Sequence, residues 1–461
     1  MSILAAFMVP HPPLIIPTVG KGGEEQIRKT AAAYEQAARE IAALKPDTII
    51  ISSPHATMYA DYFSIPADEH AMGSFASFGA PQTLFAETVD MELVEEIELQ
   101  ACARDFPAGT LGSRGKALDH GTMVPLWFIR REYTEGKIVR VGLSGLSLAD
   151  HYAFGMVIRD AVERLDRRAV FVASGDLSHK LQDYGPYGFA PEGPEYDARI
   201  MDVCGRAAFG ELFDFDESFC EKAAECGHRS FTIMAGALDG RAVKAEALSH
   251  EDVTGVGYGI CTFYPGEEDD GRHFLAVYLK EQREKALTIA RVSDPFVALA
   301  RASLETYIRT GKKLKLPGKL DPQLKYRRAG AFVSIHEHGS LRGCIGTILP
   351  TEDSLAEEIM QNAVSAATRD PRFAPIRGEE LPFLEISVDV LGDPEDIDSA
   401  DELDVKEYGV IVSSGGKRGL LLPDRDGVDS VEQQIDIARQ KGGIRPDEPI
   451  RLQRFKVERH Y

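Results

Sequence analysis

The sequence predicts an α/β domain, with a mainly parallel or mixed sheet flanked by helices, followed by a second domain that mixes helices and strands. Three observations carry this reading. The first 55 residues run strand, helix, strand, and both strands close on Pro-His. Residues 264–273 (Tyr-Pro-Gly-Glu-Glu-Asp-Asp-Gly-Arg-His) are acidic, glycine-bearing and aperiodic, the composition of a linker. Beyond them, helical patterns lead to a strictly alternating stretch, Leu384 to Val390, which reads as a half-buried strand. The domains read in this way are 1–266 and 274–461.

The composition narrows the function classes. With 461 residues, 44% hydrophobic and 27% charged, the chain can bury sizeable cores. A formal charge of −21 argues against sequence-independent nucleic-acid binding, which needs a basic surface. No apolar run approaches the roughly 20 residues of a membrane span. The N-terminal apolar run lacks a charged lead and reads as a strand rather than a signal peptide. Cys102, Cys204, Cys220, Cys226, Cys261 and Cys344 are scattered, with no C-x-x-C pair, as expected of reduced thiols in a cytoplasmic protein. The oligomeric state is left open, a homo-oligomer being one option.

In chain order, the apolar run from Ile3 reads as a buried strand, stopped by Pro10, Pro12 and Pro13, which cannot donate to a ladder. Ile27, Ala31, Tyr34, Ala38 and Ile41 mark one face of a helix over 24–44. Thr48 to Ser52 is a second buried strand, and a right-handed crossover makes the two strands parallel. Asp61 to Ala80 is a loop or short hairpin, and Asp90 to Ala103 a helix. Leu118 to Phe128 is a loop entering a helix, with Thr122 as its N-cap and Pro125 in its first turn. Strands over 137–143 and 168–173 alternate with helices over 148–165 and 197–210. A further helix over 221–238 carries Glu225 and Cys226 at its start, and a closing strand spans 255–264.

His11, His55, His120 and His179 thus all follow strand ends or open helices, with Glu225 as an acidic companion. In open α/β sheets ligands bind at that edge. A lone histidine of this kind is most simply a loop-satisfying residue; four together point to a shared site, and two imidazoles on one rim supply the first two ligands of a mononuclear metal centre. His70, His151, His228 and His250 lack such placement and read as surface or packing residues.

Pro10-His11-Pro12, Ser53-Pro54-His55, Leu118-Asp119-His120-Gly121-Thr122 and Ser174-Gly175-Asp176-Leu177-Ser178-His179 together resemble the class III, LigB-type extradiol dioxygenases and their MEMO relatives. The resemblance implies a non-haem Fe(II) centre for a catechol-like small aromatic substrate and O2. It assigns His11, His55 and Glu225 as metal ligands, and His120 and His179 as groups that bind substrate hydroxyls and move protons. In MEMO-type relatives a cysteine stands at the third ligand position, within a stretch similar to Cys226-Gly227-His228-Arg229 here. Adjacent residues on a helix point about 100° apart, so only one of Glu225 and Cys226 faces the metal. The expectation is Glu225, with Cys226 the alternative. A thiolate would favour copper or zinc and a metal-binding or redox-partner protein without ring cleavage. A metallohydrolase using the same rim is a third reading.

Downstream, Leu341-Arg342-Gly343-Cys344-Ile345-Gly346, the stretch Asn362 to Phe373 and Gly419 to Pro423 resemble the AMMECR family, which implies an α+β fold and no established reaction. Glu337 to Ser340 reads as a turn, and Ser354 as the N-cap of a helix that runs on through Thr368 to Phe373. Around Arg342 and Cys344, Gly343 and Gly346 read first as tight backbone turns and Cys344 as a buried residue. As a functional pair, Arg342 lies on the same side of an extended segment as Cys344 and would lower the thiol pKa. The joint order of the two parts resembles the fused proteins of the AmmeMemoRadiSam system, which implies a radical-SAM protein as functional partner.

Overall fold

A computed structural model describes residues 3–112, 114–292, 294–337, 340–425 and 427–461. His338 and Gly339 of the expected turn lie outside the described residues. The chain divides into two compact units, Met1–Leu279 and Lys280–Tyr461.

The first unit is built on a six-stranded mixed sheet. Its strands lie in the spatial order Lys137–Gly142, Thr48–Ser53, Ala169–Ser174, Ile3–Val9, Tyr258–Glu268, Arg241–Glu251. The first four are parallel, Tyr258–Glu268 is antiparallel to Ile3–Val9, and Arg241–Glu251 is antiparallel to Tyr258–Glu268. The parallel strands are buried throughout their centres, as their continuous apolar and β-branched runs require. Their register pairs Val9 with Ser174, Ser52 with Ala173 and Ser53 with Gly142. The carboxyl ends of four strands therefore share one rim, where the His-bearing loops begin.

The helices flank this sheet. Tyr34, on the helix Arg28–Leu44, stacks on Phe128 of the helix His120–Glu132 at 4.2 Å between ring centres and donates its hydroxyl to the Pro10 carbonyl at 2.6 Å. The periodic face that signals the first helix thus also anchors the turn before His11. Met91–Ala103 begins on Asp90, whose carboxylate caps the helix and accepts the Thr48 hydroxyl.

Four readings of the sequence are corrected here. The helix at 120 is capped by Asp119, not Thr122, because the shorter carboxylate reaches both the Thr122 amide and its hydroxyl. Pro125 consequently sits inside the helix rather than in its first turn. The helix expected over 221–238 is two, Glu217–Ala223 and His228–Ala237, separated by a turn in which Ala224 is left-handed (φ 54°). Residues 264–273 are no free linker: the strand continues to Glu268, Asp270–Arg272 forms a turn, and the imidazole of His273 lies 2.9 Å from the Asp239 carboxylate. The division between the units falls inside the next helix, Phe274–Val292.

The second unit is α+β, with two four-stranded antiparallel sheets. One has the order Ser340–Gly346, Ala331–Glu337, Leu384–Leu391, Val457–His460; the other has Glu395–Ile397, Arg451–Phe455, Gly409–Ser414, Lys417–Leu421. Pro295–Thr310 and Leu355–Thr368 cover the first sheet, burying Leu299, Leu304, Ile359 and Ala363 with Val333 and Ile335. Ser354 caps the second of these helices as expected, but the helix stops at Thr368. Pro371 disfavours helical backbone at Asp370 and cannot donate to a helical ladder.

Candidate metal site at the strand-end rim

His11, His55 and Cys226 converge. Nε2 of His11 lies 2.9 Å from Nε2 of His55 and 3.6 Å from Sγ of Cys226, and the three ligand atoms all fall within 4.8 Å of one another. Each arrives from a different loop, after the strands ending at Val9 and Ser53 and before the helix beginning at His228. His11 is buried and His55 exposed, so the group opens to solvent on the His55 side. His120 closes another side, its ring centre 3.9 Å from that of His55 and 5.4 Å from that of His11.

Local chemistry holds each loop in place. Ser53 donates to Asp119 at 2.5 Å, while its Oγ accepts the His55 amide at 3.2 Å. The loop after the second strand is thereby pinned to the cap of the His120 helix. Gly121 must lack a side chain, because a Cβ there would stand 2.4 Å from Ser53 Oγ and 3.4 Å from the His55 ring. Gly175 and Gly227 do the same for Cys226: a Cβ on Gly175 would meet Gly227 Cα at 2.1 Å. Backbone packed this closely lets the Asp176 amide donate to Cys226 Sγ at 3.3 Å.

Asp176 belongs to the site, although it was not singled out in the sequence. Its Oδ1 accepts the His11 amide at 2.7 Å, and its Oδ2 lies 3.9 Å from His11 Nε2 and 4.0 Å from His179 Nε2. Asp176, His179 and Cys226 form a second set of ligand atoms within 4.8 Å of one another. The signal available was its place in Ser-Gly-Asp-Leu-Ser-His, directly after a buried strand. His179 Nε2 is buried without a hydrogen-bond partner among the described residues, and its ring stacks on Tyr187 at 5.1 Å. Phe78 lies edge-on to His120 at 5.3 Å.

Glu225 is not brought into this group, a departure from the expectation that it supplies the carboxylate ligand. Its Oε2 accepts the His228 amide at 2.6 Å, at the N-terminus of the helix His228–Ala237. Because residues 224–227 form an irregular turn, the helical spacing that set Glu225 against Cys226 does not apply to them.

Electrostatics keep the imidazoles neutral. Burial, reinforced by neighbouring imidazoles, lowers His11 well below the ordinary histidine range and holds His120 at about 3. Burial also lowers His55 and His179. The same cause raises Asp176 to about 6, Glu225 to about 7 and the Cys226 thiol well above its ordinary value. His151 and His228 lie apart from this group and pack as buried neutral rings, at about 3 and about 4.

A pH dependence follows. A histidine lowered on folding stabilises the protein above its unfolded pKa of about 6.5, and that contribution is lost as pH falls toward the folded value. The raised Asp176 and Glu225 act oppositely, favouring the fold at low pH and losing that contribution as pH rises through about 6 and about 7. Seven lowered imidazoles (His11, His55, His120, His151, His179, His228 and His336) outnumber the four raised groups, these two acids with Asp197 and His250. The thermal midpoint of metal-free protein is expected to fall between about pH 6.5 and 4. Calorimetry across that range checks this, and a midpoint that rises on acidification contradicts it.

In the second unit, Cys344 pairs with Ser334 across the sheet, with Oγ to Sγ at 3.3 Å, and its amide donates to Asp370 at 2.9 Å. Arg342 is engaged elsewhere, with Glu380 at 2.7 Å and the Ala374 carbonyl at 2.8 Å. Its guanidinium is thus already neutralised by a carboxylate.

Comparison with known proteins agrees with this division. The family described as the catalytic LigB subunit of aromatic ring-opening dioxygenase matches residues 5–261, and the AMMECR1 family matches residues 297–460. Protein CA_C1420 of Clostridium acetobutylicum is 39% identical over all of this chain and 99% of its own length. A Thermotoga maritima protein is 50% identical over 36% of this chain and 97% of its own. Among solved structures, PH0010 of Pyrococcus horikoshii is 33% identical over 36% of this chain and 88% of its own, with a TM-score of 0.34. All six cysteines are unpaired, and among the described residues no helix is long and apolar enough to cross a membrane.

Proposed function

We propose that this chain, which belongs to the family of the catalytic LigB subunit of aromatic ring-opening dioxygenases, holds one divalent metal ion on His11, His55 and Cys226 and acts as a metal-binding or redox protein through it. The observation that carries this reading is the convergence of two Nε2 atoms and one Sγ from three separate loops. The donors suit the group: two neutral imidazoles and a sulfur favour iron, copper or zinc over harder cations. Deprotonating the buried thiol makes binding release a proton, so affinity rises with pH. When bound, the metal would supply a Lewis acid and, as iron or copper, a one-electron couple. By the chain's resemblance to the fused proteins of the AmmeMemoRadiSam system, its partner would be a radical-SAM protein.

A second reading, extradiol cleavage of a catechol-like molecule with O2 at Fe(II), is supported by the family and by the histidines around the open side. His120 and His179, both held neutral, can accept a proton from a hydroxyl of a ligand entering past His55. Phe78 and Tyr187 offer ring faces beside them. Metal analysis combined with oxygen uptake on a panel of catechols separates the readings: metal without uptake favours the first, and both together favour the second. If uptake occurs, His120→Ala is expected to lower it about 10²–10⁴-fold with the metal retained. Loss of the metal in that variant would make His120 a ligand instead.

A further inference from the structure

The helix His120–Glu132 carries Pro125 in its interior. A proline there has no N–H, so the carbonyl of Gly121, four residues earlier, receives no helical hydrogen bond. That carbonyl is filled from outside the helix: the hydroxyl of Ser174 donates to it at 2.6 Å. A serine hydroxyl has one proton, and a carbonyl oxygen only accepts. Ser174 Oγ therefore has only lone pairs to offer the next group, His11 Nδ1, at 3.0 Å. The hydrogen between them must sit on Nδ1, and His11 Nε2 is left as an acceptor, with His55 Nε2 2.9 Å away. Nε2 is the atom that faces His55 and Cys226.

The opposite arrangement carries a cost. If Ser174 donated to His11 instead, the Gly121 carbonyl would lose its donor in a place where Ser174 is fully buried and His11 nearly so. Nor does the nearest carboxylate draw the proton to Nε2. Asp176 Oδ2 is 3.9 Å away, beyond hydrogen-bond distance, and Oδ1 is occupied by the His11 amide.

We propose that Pro125 and Ser174 are positioning residues that set the tautomer of His11. By withholding a helical N–H, the proline leaves the Gly121 carbonyl to Ser174. The serine, its proton spent there, holds the His11 proton on Nδ1 and turns Nε2 toward the site as a lone pair. The use of that lone pair for metal rests on the proposed function; the tautomer itself does not.

The test is long-range proton–nitrogen spectroscopy of the metal-free full-length protein, with His11 identified by its loss in His11→Gln, followed by titration with zinc alone. Wild type is expected to carry Nδ1–H on His11. Ser174→Ala is expected to shift His11 toward Nε2–H and to weaken zinc binding about 10–100-fold, the usual cost of removing a partner behind a metal ligand. Pro125→Ala restores an N–H to the Gly121 carbonyl, so that Ser174 is no longer its required donor and can turn its proton to His11. It is expected to raise the thermal midpoint, because a proline leaves a helix interior, while shifting His11 and zinc affinity in the same direction as Ser174→Ala. Stability and affinity moving in opposite directions is something mere structural damage does not produce. Nε2–H in wild type, or Ser174→Ala with tautomer and affinity unchanged, overturns the proposal. Pro125→Ala without a tautomer shift overturns the proline's part in it. Wild type that carries Nδ1–H yet binds no zinc sinks the metal reading and leaves the tautomer assignment standing.

Discussion

Cys226→Ser is expected to weaken divalent-metal binding by more than about 100-fold, beyond the usual cost of losing an outer hydrogen-bond partner, whereas Glu225→Gln keeps the metal. The two residues are neighbours, but they do different work. Cys226 places Sγ 3.6 Å from His11 Nε2, while Glu225 accepts the first amide of the helix His228–Ala237 at 2.6 Å. His11→Ala and His55→Ala should resemble Cys226→Ser, because each removes one of the three converging atoms. Glu225→Gln keeps an oxygen acceptor for the His228 amide and removes a buried carboxyl already raised to about 7, so its cost should be modest. Equilibrium dialysis against zinc, read by elemental analysis, decides between the residues. Retention in Cys226→Ser with loss in Glu225→Gln would restore the carboxylate assignment.

Gly175→Ala is expected to destabilise the first unit by about 1–3 kcal/mol or more and to abolish metal binding with every ligand still present. The added Cβ would lie 2.1 Å from the Gly227 Cα, and backbone cannot yield as a flexible side chain does. Relief requires the segment carrying Cys226 to move off the segment carrying Asp176. That breaks the Asp176 amide to Cys226 Sγ contact and carries the sulfur away from His11. Thermal unfolding and metal titration of the same variant check both halves. A variant with an unchanged midpoint and full metal content would show that this close backbone approach does not govern the site.

Much of this was legible in the sequence because three apolar runs are strong. The β-branched and apolar runs at Ile3, Thr48 and Val170 leave few alternatives to buried parallel strands, and the residues that stop them carry His11, His55 and, in the last case, Asp176 and His179. The edge strand Arg241–Glu251 escaped notice. It is rich in alanine and glutamate, residues of low strand propensity, and it lies half exposed. The directions of Glu225 and Cys226 were misread for a geometric reason. A helix assumed to run through Glu225 and Cys226 forces a choice by helical phase, but the left-handed Ala224 breaks that helix and resets the directions of both side chains. Arg342 was not legible as a partner of Glu380, because that contact spans 38 residues and no local pattern records it.

The central claim is that sulfur, rather than a carboxylate, completes the metal site with His11 and His55. X-ray absorption at the zinc edge of the zinc-loaded protein tests it most directly. The account predicts one sulfur scatterer at about 2.3 Å together with two imidazoles, and its loss in Cys226→Ser. A spectrum fitted by nitrogen and oxygen neighbours alone at about 2.0–2.2 Å, unchanged in Cys226→Ser, would contradict it.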